Sequence, residues 1–291
     1  MPAALRPLWG LASAVAGRVV RHGQMPRASQ FAYVAFMASI PFAFVVISVL
    51  GLVARQTSYT TLVDDARGTI PDQLADFLDG VLQAVSSSAG QSILFLLLGL
   101  VTGFWLAGNV AGSLTDGLDD AFEEPHRSWL TGKARALVLA LVTGLVFVLT
   151  TILAVIGPAV LQWAFEHAGA PRSTLVLIQV LVALIDVAIF WGYLVLLYFY
   201  APNARGASMR DALTGAVVGV IGWFIVANLF RLYVDNFGSY NRVYGSLGAV
   251  VIFLVFLYLT ALTIFIGGET AAELAARRNE HAPRGLPTRT Q

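Results

Sequence analysis

One acidic residue, Asp186, lies deep inside a long apolar stretch of this sequence. Residues seven apart share a stripe of a helix, so Gln179, Tyr193 and Tyr200 line up with it. A charged side chain is costly in hydrocarbon, and where one occurs it often marks a site for an ion or a substrate. The stripe predicts either a polar path between helices for a substrate headgroup or ion, or hydrogen bonds that hold neighbouring helices together.

Polar residues recur in two other apolar stretches. Thr102, Asn109 and Asp116 form a second line of residues seven apart, and Asn228 and Arg231 end a further stretch. For Asn109 alone we favour the helix-bonding interpretation. The candidate pathway residues are therefore Asp186, Tyr193, Gln179, Asn109, Asn228 and Arg231.

Signals for an enzyme are poor. The four histidines, His22, His126, His167 and His281, fall in four different loops or tails, and the chain has no cysteine. No two histidines have the spacing of metal ligands, and no Ser, His and Asp set is predicted on one side of the membrane. We expect no catalytic residue, no metal site and no cofactor. A membrane-bound hydrolase would need clustered catalytic groups.

An acidic run, "DGLDDAFEEPHR", follows the second apolar stretch. Carboxylates grouped in this way suit a divalent cation. A solvated helix end is the favoured interpretation.

Composition indicates the environment of these residues. Of 291 residues, 57% are hydrophobic and 12% are charged, against about 25% charged in ordinary globular domains. A chain this apolar cannot hide its side chains in one water-soluble core, so the bilayer must be its solvent. The net charge of +1 gives no reason to expect a nucleic-acid partner.

An all-α, polytopic fold with six transmembrane helices follows, because about 20 helical residues cross the hydrocarbon and each helix satisfies its own backbone. The predicted spans are residues 31–54, 92–110, 134–161, 174–200, 212–230 and 247–268. With the N-terminus inside, the inner segments hold thirteen Arg and Lys residues and the outer segments five. This asymmetry predicts that both termini are cytoplasmic.

Two segments between or before the spans also have helical patterns. Pro7 to Val20 suits a short interfacial helix within a cytoplasmic segment, residues 1–27. In the first outer loop, residues 56–91, apolar residues share one helical face. That helix would lie on the outer rim of the bundle or act as a lid. The spans then form a domain of residues 28–278, followed by a flexible cytoplasmic tail, residues 279–291.

Small residues and prolines indicate how the helices pack. Gly215 and Gly219 lie four apart, which allows helix backbones to approach closely, and Pro41 is expected to bend its span. A collar before the last span is predicted to form a tight, ordered turn at the outer interface, where tyrosine rings prefer to lie. Its residues are Tyr240, Asn241, Arg242, Tyr244 and Gly245.

The second half of the chain resembles the YihY/virulence factor BrkB family of bacterial inner-membrane proteins, many of them once labelled ribonuclease BN. The matching features are Pro202-Asn203, the Asp211-Ala212-Leu213…Gly215 start of the fifth span, Tyr233, the Tyr240-Asn241…Tyr244-Gly245 collar and Gly268-Glu269 at the end of the last span. Tyr33 and Pro41 agree with the family more loosely. The resemblance covers roughly residues 28–278.

The resemblance implies a six-helix membrane domain without a settled activity. Export or flipping of lipids or other amphipathic anionic compounds has been proposed for relatives. We therefore predict a transporter or lipid translocase in the bacterial inner membrane, whose partners are membrane lipids and an amphipathic substrate. The alternative is a scaffold that organises envelope proteins and transports nothing. A continuous polar cavity would distinguish the two, and the oligomeric state stays open.

Overall fold

A computed structural model of the chain describes residues 6–54, 89–124, 132, 134–146, 149–150, 172–202, 207–236 and 246–281. All regular structure in these ranges is α-helical, as the sequence predicts. The helices are α1 (Arg6–Arg21), α2 (Gln24–Ala54), α3 (Ala89–Ala121), α4 (Ala134–Val146), α5 (Arg172–Tyr200), α6 (Met209–Asn236) and α7 (Ser246–His281).

Three of the described helices are long and apolar enough to cross a membrane. They are Val176–Tyr200, Met209–Tyr233 and Val250–Glu280, which correspond to the last three predicted spans. Large apolar side chains on these helices, such as Leu177, Leu184 and Leu229, are exposed, as expected of surfaces solvated by lipid. Six crossings stay a prediction, because only these three candidate spans are found among the described residues.

The chain divides into two compact units. One contains residues 33–110, and the other contains residues 1–32 and 111–291. In the first unit Pro41 lies within α2, and a Cβ atom added to Gly103 of α3 would lie 3.8 Å from the Cβ of Pro41.

In the second unit α5, α6 and α7 pack closely where glycines remove side chains. A Cβ atom on Gly215 would lie 2.5 Å from the carbonyl oxygen of Gly267, and one on Gly219 would lie 2.9 Å from the hydroxyl of Tyr198. Tyr198 is fully buried, and its hydroxyl donates a 2.7 Å hydrogen bond to the carbonyl of Ile264. Gly215 and Gly219 thus form the surface of α6 that meets its neighbours.

The start of α6 has a capping box. The backbone N–H of Ser208 donates to Asp211 Oδ2 at 3.0 Å, and the Ser208 hydroxyl donates to the same oxygen at 2.8 Å. Asp211 also forms an ion pair with Arg278 near the end of α7. The first turn of α6 is therefore joined to the last turns of α7, and the two helices run antiparallel.

Several predicted features lie outside the described residues. These are the collar of Tyr240, Asn241, Arg242, Tyr244 and Gly245, the first outer loop up to residue 88, most of the second half of the third span, and the tail from residue 282.

Candidate functional site

Asp186 lies in the middle of α5, within the span candidate Val176–Tyr200. The residue is partly exposed, but its Oδ1 atom is buried and has no hydrogen-bond partner among the described residues. A buried carboxylate oxygen without a donor is costly in a low-dielectric setting. A buried oxygen without a donor is thus unusual for a residue whose only role is to hydrogen-bond a neighbouring helix.

Tyr193 lies two turns further along the same face and is buried. Its hydroxyl lies 2.8 Å from the Thr143 hydroxyl of α4. Between the two, the ring of Phe190 packs against Trp223 of α6, with centroids 5.3 Å apart. The face that carries Asp186 and Tyr193 is therefore directed toward α4 and α6.

The other predicted pathway residues lie in different settings. Gln179, Asn228 and Arg231 are exposed, and Asn228 Nδ2 donates to the carbonyl of Phe224 in its own helix, at 2.7 Å. Asn109 belongs to the unit of residues 33–110. Of the six candidates, Asp186 and Tyr193 lie on one face of α5, two turns apart and without a recorded contact between them.

A buried charge cluster centred on Glu269 lies elsewhere in the same unit. Glu269 of α7 is fully buried and accepts three hydrogen bonds, from Arg18 Nε at 3.1 Å, His22 Nδ1 at 2.8 Å and Gln24 Nε2 at 2.8 Å. Three donors, one of them a guanidinium, offset the cost of burying the carboxylate. The donors come from α1, from the corner after it and from the start of α2.

Arg18 extends the Glu269 cluster to the end of α3. Its Nη2 donates to the carbonyl oxygen of Ala121 at 2.7 Å, and its Nη1 lies 3.3 Å from Glu123 and 3.7 Å from Glu273. A cation beside the last carbonyls of a helix is favourable, because the helix dipole is negative there. One buried guanidinium therefore joins α1, α3 and α7.

The end of α3 has the backbone geometry of a Schellman motif. The N–H of Glu124 donates to the carbonyl of Asp119 at 2.9 Å, and that of Glu123 to the carbonyl of Asp120 at 3.1 Å. Glu123 takes the left-handed position, with φ 57°, that glycine usually fills. This turn directs the Glu123 carboxylate at Arg18.

The acidic run forms the end of a helix, as the favoured interpretation predicts, since α3 ends at Ala121 and Glu123 is exposed. Not all of the run is solvated, because two of its carboxylates form part of a helix contact. Asp119 is buried, and Asp120 accepts a 2.7 Å hydrogen bond from Arg27 of α2. No group of three or more His, Cys, Asp and Glu side chains in the described ranges is arranged to hold a metal ion.

Sequence reasoning missed the Glu269 cluster because its parts are far apart in the chain: Arg18 and Glu269 are separated by 251 positions. Two signals pointed to it. Arg18 stands among apolar and small residues, and Glu269 follows a Gly-Gly pair at the end of the last apolar run.

Long apolar helices with exposed apolar flanks and a polar network at one end define an α-helical membrane protein. Comparison with known families matches residues 15–290 to the family described as virulence factor BrkB. The chain belongs to that family, as the sequence resemblance predicts.

Curated relatives agree over most of the chain. The putative ribonuclease-like protein YfkH of Bacillus subtilis is 27% identical over 90% of this chain and 94% of its own length. A UPF0761 membrane protein of Alteromonas mediterranea is 26% identical over 89% of this chain and 87% of its own. A UPF0761 membrane protein of Xanthomonas oryzae is 29% identical over 90% of this chain, which spans 60% of that relative. No solved structure matches.

Proposed function

We propose that this protein is a membrane transporter or lipid translocase, with an amphipathic substrate that follows a polar path between helices. Lipids and other anionic amphipathic compounds are the first candidates. The observation that carries this proposal is the Asp186 carboxylate, which lies inside a span with one buried oxygen that no described residue bonds. An ionisable group at such a depth is retained where it handles a substrate or an ion.

Two other buried polar atoms, in the apolar parts of α5 and α7, also support a path between the helices. Trp191 Nε1 on α5 and Thr260 Oγ1 on α7 are buried without a hydrogen-bond partner among the described residues. Two contacts between the antiparallel helices show where Thr260 lies: the ring of Phe230 on α6 packs against Phe256 on α7, and Gly222 of α6 approaches Thr263 of α7. Thr260 lies between Phe256 and Thr263, in the apolar part of α7.

The same proposal includes six crossings. Gln24 and Arg27, at the start of α2, bond to Gly117 and Asp120 at the end of α3. Asp211 at the start of α6 pairs with Arg278 at the end of α7. Arg277 of α7 also bonds to Gly10 of α1. The end of α5 lies at the Gly267 level of α7 through Tyr198. These contacts support a topology in which Glu124 and Arg172 lie on opposite sides of the membrane, and we propose one crossing between them.

With six crossings, both ends of the chain lie on one side, which the Arg and Lys distribution assigns to the cytoplasm of a bacterial inner membrane. Helices of 31 and 33 residues, α2 and α3, are long enough for two of these crossings, since about 20 residues suffice.

A lipid-exchange measurement tests the proposal. The purified full-length protein is placed in vesicles that contain a fluorescent phosphatidylglycerol, and dithionite quenching reports lipid that reaches the outer leaflet. We expect exchange above that of protein-free vesicles. Asp186→Asn keeps the size of the side chain and removes its charge, so the rate should fall by about tenfold or more.

Glu280→Gln is the matched control, because it makes the same carboxylate-to-amide change at an exposed position near the end of α7. It should leave the rate unchanged. Exchange that is unaffected by Asp186→Asn would assign Asp186 to helix packing. No exchange above the protein-free level would favour the scaffold.

A further inference from the structure

The face of α5 that carries Asp186 opens toward the start of the helix. Tyr193, two turns after Asp186, is buried and bonds to Thr143 of α4. Asp186 itself is partly exposed, and Gln179, two turns before it on the same face, is exposed. A ligand that enters along this face can therefore reach Asp186 before the packed part of the face begins at Tyr193.

The surface beside this opening is apolar. Ala183, Leu184 and Ile185, which precede Asp186, are all exposed on a helix that is long and apolar enough to cross a membrane. Surfaces of this kind are solvated by lipid chains. A free ion would have to leave water to approach Asp186 from this side, whereas a lipid is already there. The ligand that the surroundings favour is therefore a lipid.

The Asp186 carboxylate needs a hydrogen-bond donor that the described part of the protein does not supply. Its Oδ1 atom is buried, and no described residue donates to it. An ionised carboxylate only accepts hydrogen bonds, and a charged donor forms the stronger bond. The group that fits Asp186 best is thus an ammonium, which has N–H donors and a positive charge.

A second unpaired polar group lies at nearly the same depth in the span. Phe190 of α5 contacts Trp223 of α6, and the glycine before Trp223 approaches Thr263 of α7. Since α5 and α7 both run antiparallel to α6, they run parallel to each other. Asp186 lies four residues before Phe190 and Thr260 lies three before Thr263, or about 6 Å and about 4.5 Å along the two helices. The buried Thr260 hydroxyl, which has no partner among the described residues, is therefore level with Asp186.

The unpaired buried atoms of these spans match a zwitterionic headgroup in kind. Asp186 Oδ1 accepts, while the Thr260 hydroxyl and the Trp191 indole N–H can donate. An ethanolamine headgroup offers the complement, an ammonium that donates and a phosphate that accepts. A glycerol headgroup has the same phosphate but only neutral hydroxyls, and the Asp186 carboxylate repels its net negative charge.

We propose that Asp186 binds the ammonium of a phosphatidylethanolamine headgroup, so that the lipid in this path carries a primary amine. The inference rests on the proposed function, because it names the substrate of the same path. Among the lipids considered there, it favours zwitterionic lipids with N–H donors over anionic lipids.

Competitive binding tests the site without any transport. Purified full-length protein in detergent receives equal mole fractions of phosphatidylethanolamine and phosphatidylglycerol with matched chains, and native mass spectrometry measures which lipid stays bound. We expect the ethanolamine lipid to be favoured by about tenfold, because it offers a charged donor instead of a neutral one. Asp186→Asn should reduce the preference to near one. Asp186→Glu keeps the carboxylate and should retain most of the preference.

Glu280→Gln is the matched control, since it removes an exposed carboxylate at the end of α7 and should retain the full preference. Equal binding of the two lipids by the parent protein would overturn the proposal, as would a preference that Asp186→Asn leaves unchanged. If Asp186→Asn does not fold, the parent protein is offered the ethanolamine lipid and its N-acetylated form, which lacks the ammonium. Equal binding of these two lipids would also overturn the proposal.

Lipid exchange distinguishes a failure of this site from a failure of the proposed function. In vesicles that contain either lipid with a fluorescent acyl chain, the parent protein should exchange the ethanolamine lipid faster than the glycerol lipid. Selective binding through Asp186 without exchange would support the site and contradict transport. Exchange at equal rates, with equal binding of the two lipids, would support transport and overturn the site.

Discussion

Gly267 shows what a single residue contributes to the contact of three helices. A Cβ atom at this position would overlap the Tyr198 hydroxyl and would lie 2.8 Å from the carbonyl oxygen of Gly215. The spacing of Gly215 and Gly219 indicates a contact surface on α6, but no spacing rule names Gly267 or Tyr198 as the partner. Those partners depend on how far α5 and α7 slide along α6, which only the packed structure determines.

We predict that Gly267→Ala destabilises the protein by about 1–3 kcal/mol, the usual effect of overpacking a close contact. Gly144→Ala in α4 is the control, because no atom lies within 4 Å of its added Cβ. Thermal unfolding in detergent should show a lower midpoint for Gly267→Ala alone. Equal midpoints for the two variants would mean that α5, α6 and α7 are not in close contact at this level.

At the scale of whole helices, α1 has its predicted bounds to within one residue at each end, Arg6–Arg21 against Pro7–Val20. Its apolar and small residues suggest a helix at the membrane interface, and the structure adds that Val15, Arg18 and Val19 are buried against the other helices. The apolar pattern is the same in both cases, because lipid and a protein core select the same side chains. The buried Glu269 that accepts from Arg18 is what distinguishes them, and it lies too far along the chain for a local pattern to reveal.

We predict that Arg18→Met destabilises the protein by about 3–5 kcal/mol, because it leaves the Glu269 carboxylate buried without its guanidinium. Arg21→Met removes an exposed arginine of the same helix and should have a small effect. Unfolding in detergent measures both. In a double-mutant cycle, Glu269→Gln should cost less in the Arg18→Met background than in the parent protein, and strictly additive effects would show that the pair is not coupled.

The start of α6 allows a second prediction about a helix. Ser208→Ala removes the hydroxyl of the capping box and should destabilise the protein by about 1 kcal/mol. Thr214→Val changes an exposed hydroxyl within the same helix, so it should have a smaller effect on the unfolding midpoint. If both variants have the same unfolding midpoint, the capping box does not limit the stability of this helix end.

For the whole molecule, hydropathy predicts the last three spans but not the ends of the helices. α3 continues past the predicted end at residue 110 to Ala121, and α7 continues past residue 268 to His281. Hydropathy detects the apolar part of a helix, while the polar extensions are held by ion pairs such as Arg18–Glu269 and Arg27–Asp120. These extensions contribute to the Glu269 cluster, so among the described residues a part of the fold that hydropathy does not predict carries buried charge.

The contact of α1 with the end of α7 makes the topology of the whole chain testable. Arg277 Nη2 lies 3.3 Å from the carbonyl oxygen of Gly10. In the proposed topology, this contact places the two ends of the helical part on the same side of the membrane. Any model with an odd number of crossings between α1 and the end of α7 conflicts with this contact.

Single cysteines at Gly17, Glu123 and Glu280 should be protected from a membrane-impermeant maleimide added to intact cells and should react in inverted vesicles. Cysteines at Asp79 and Glu166 should react in intact cells, as six crossings require. Labelling of Glu280 from outside with protection of Gly17 would contradict both the six-span topology and the docking of α1 on α7.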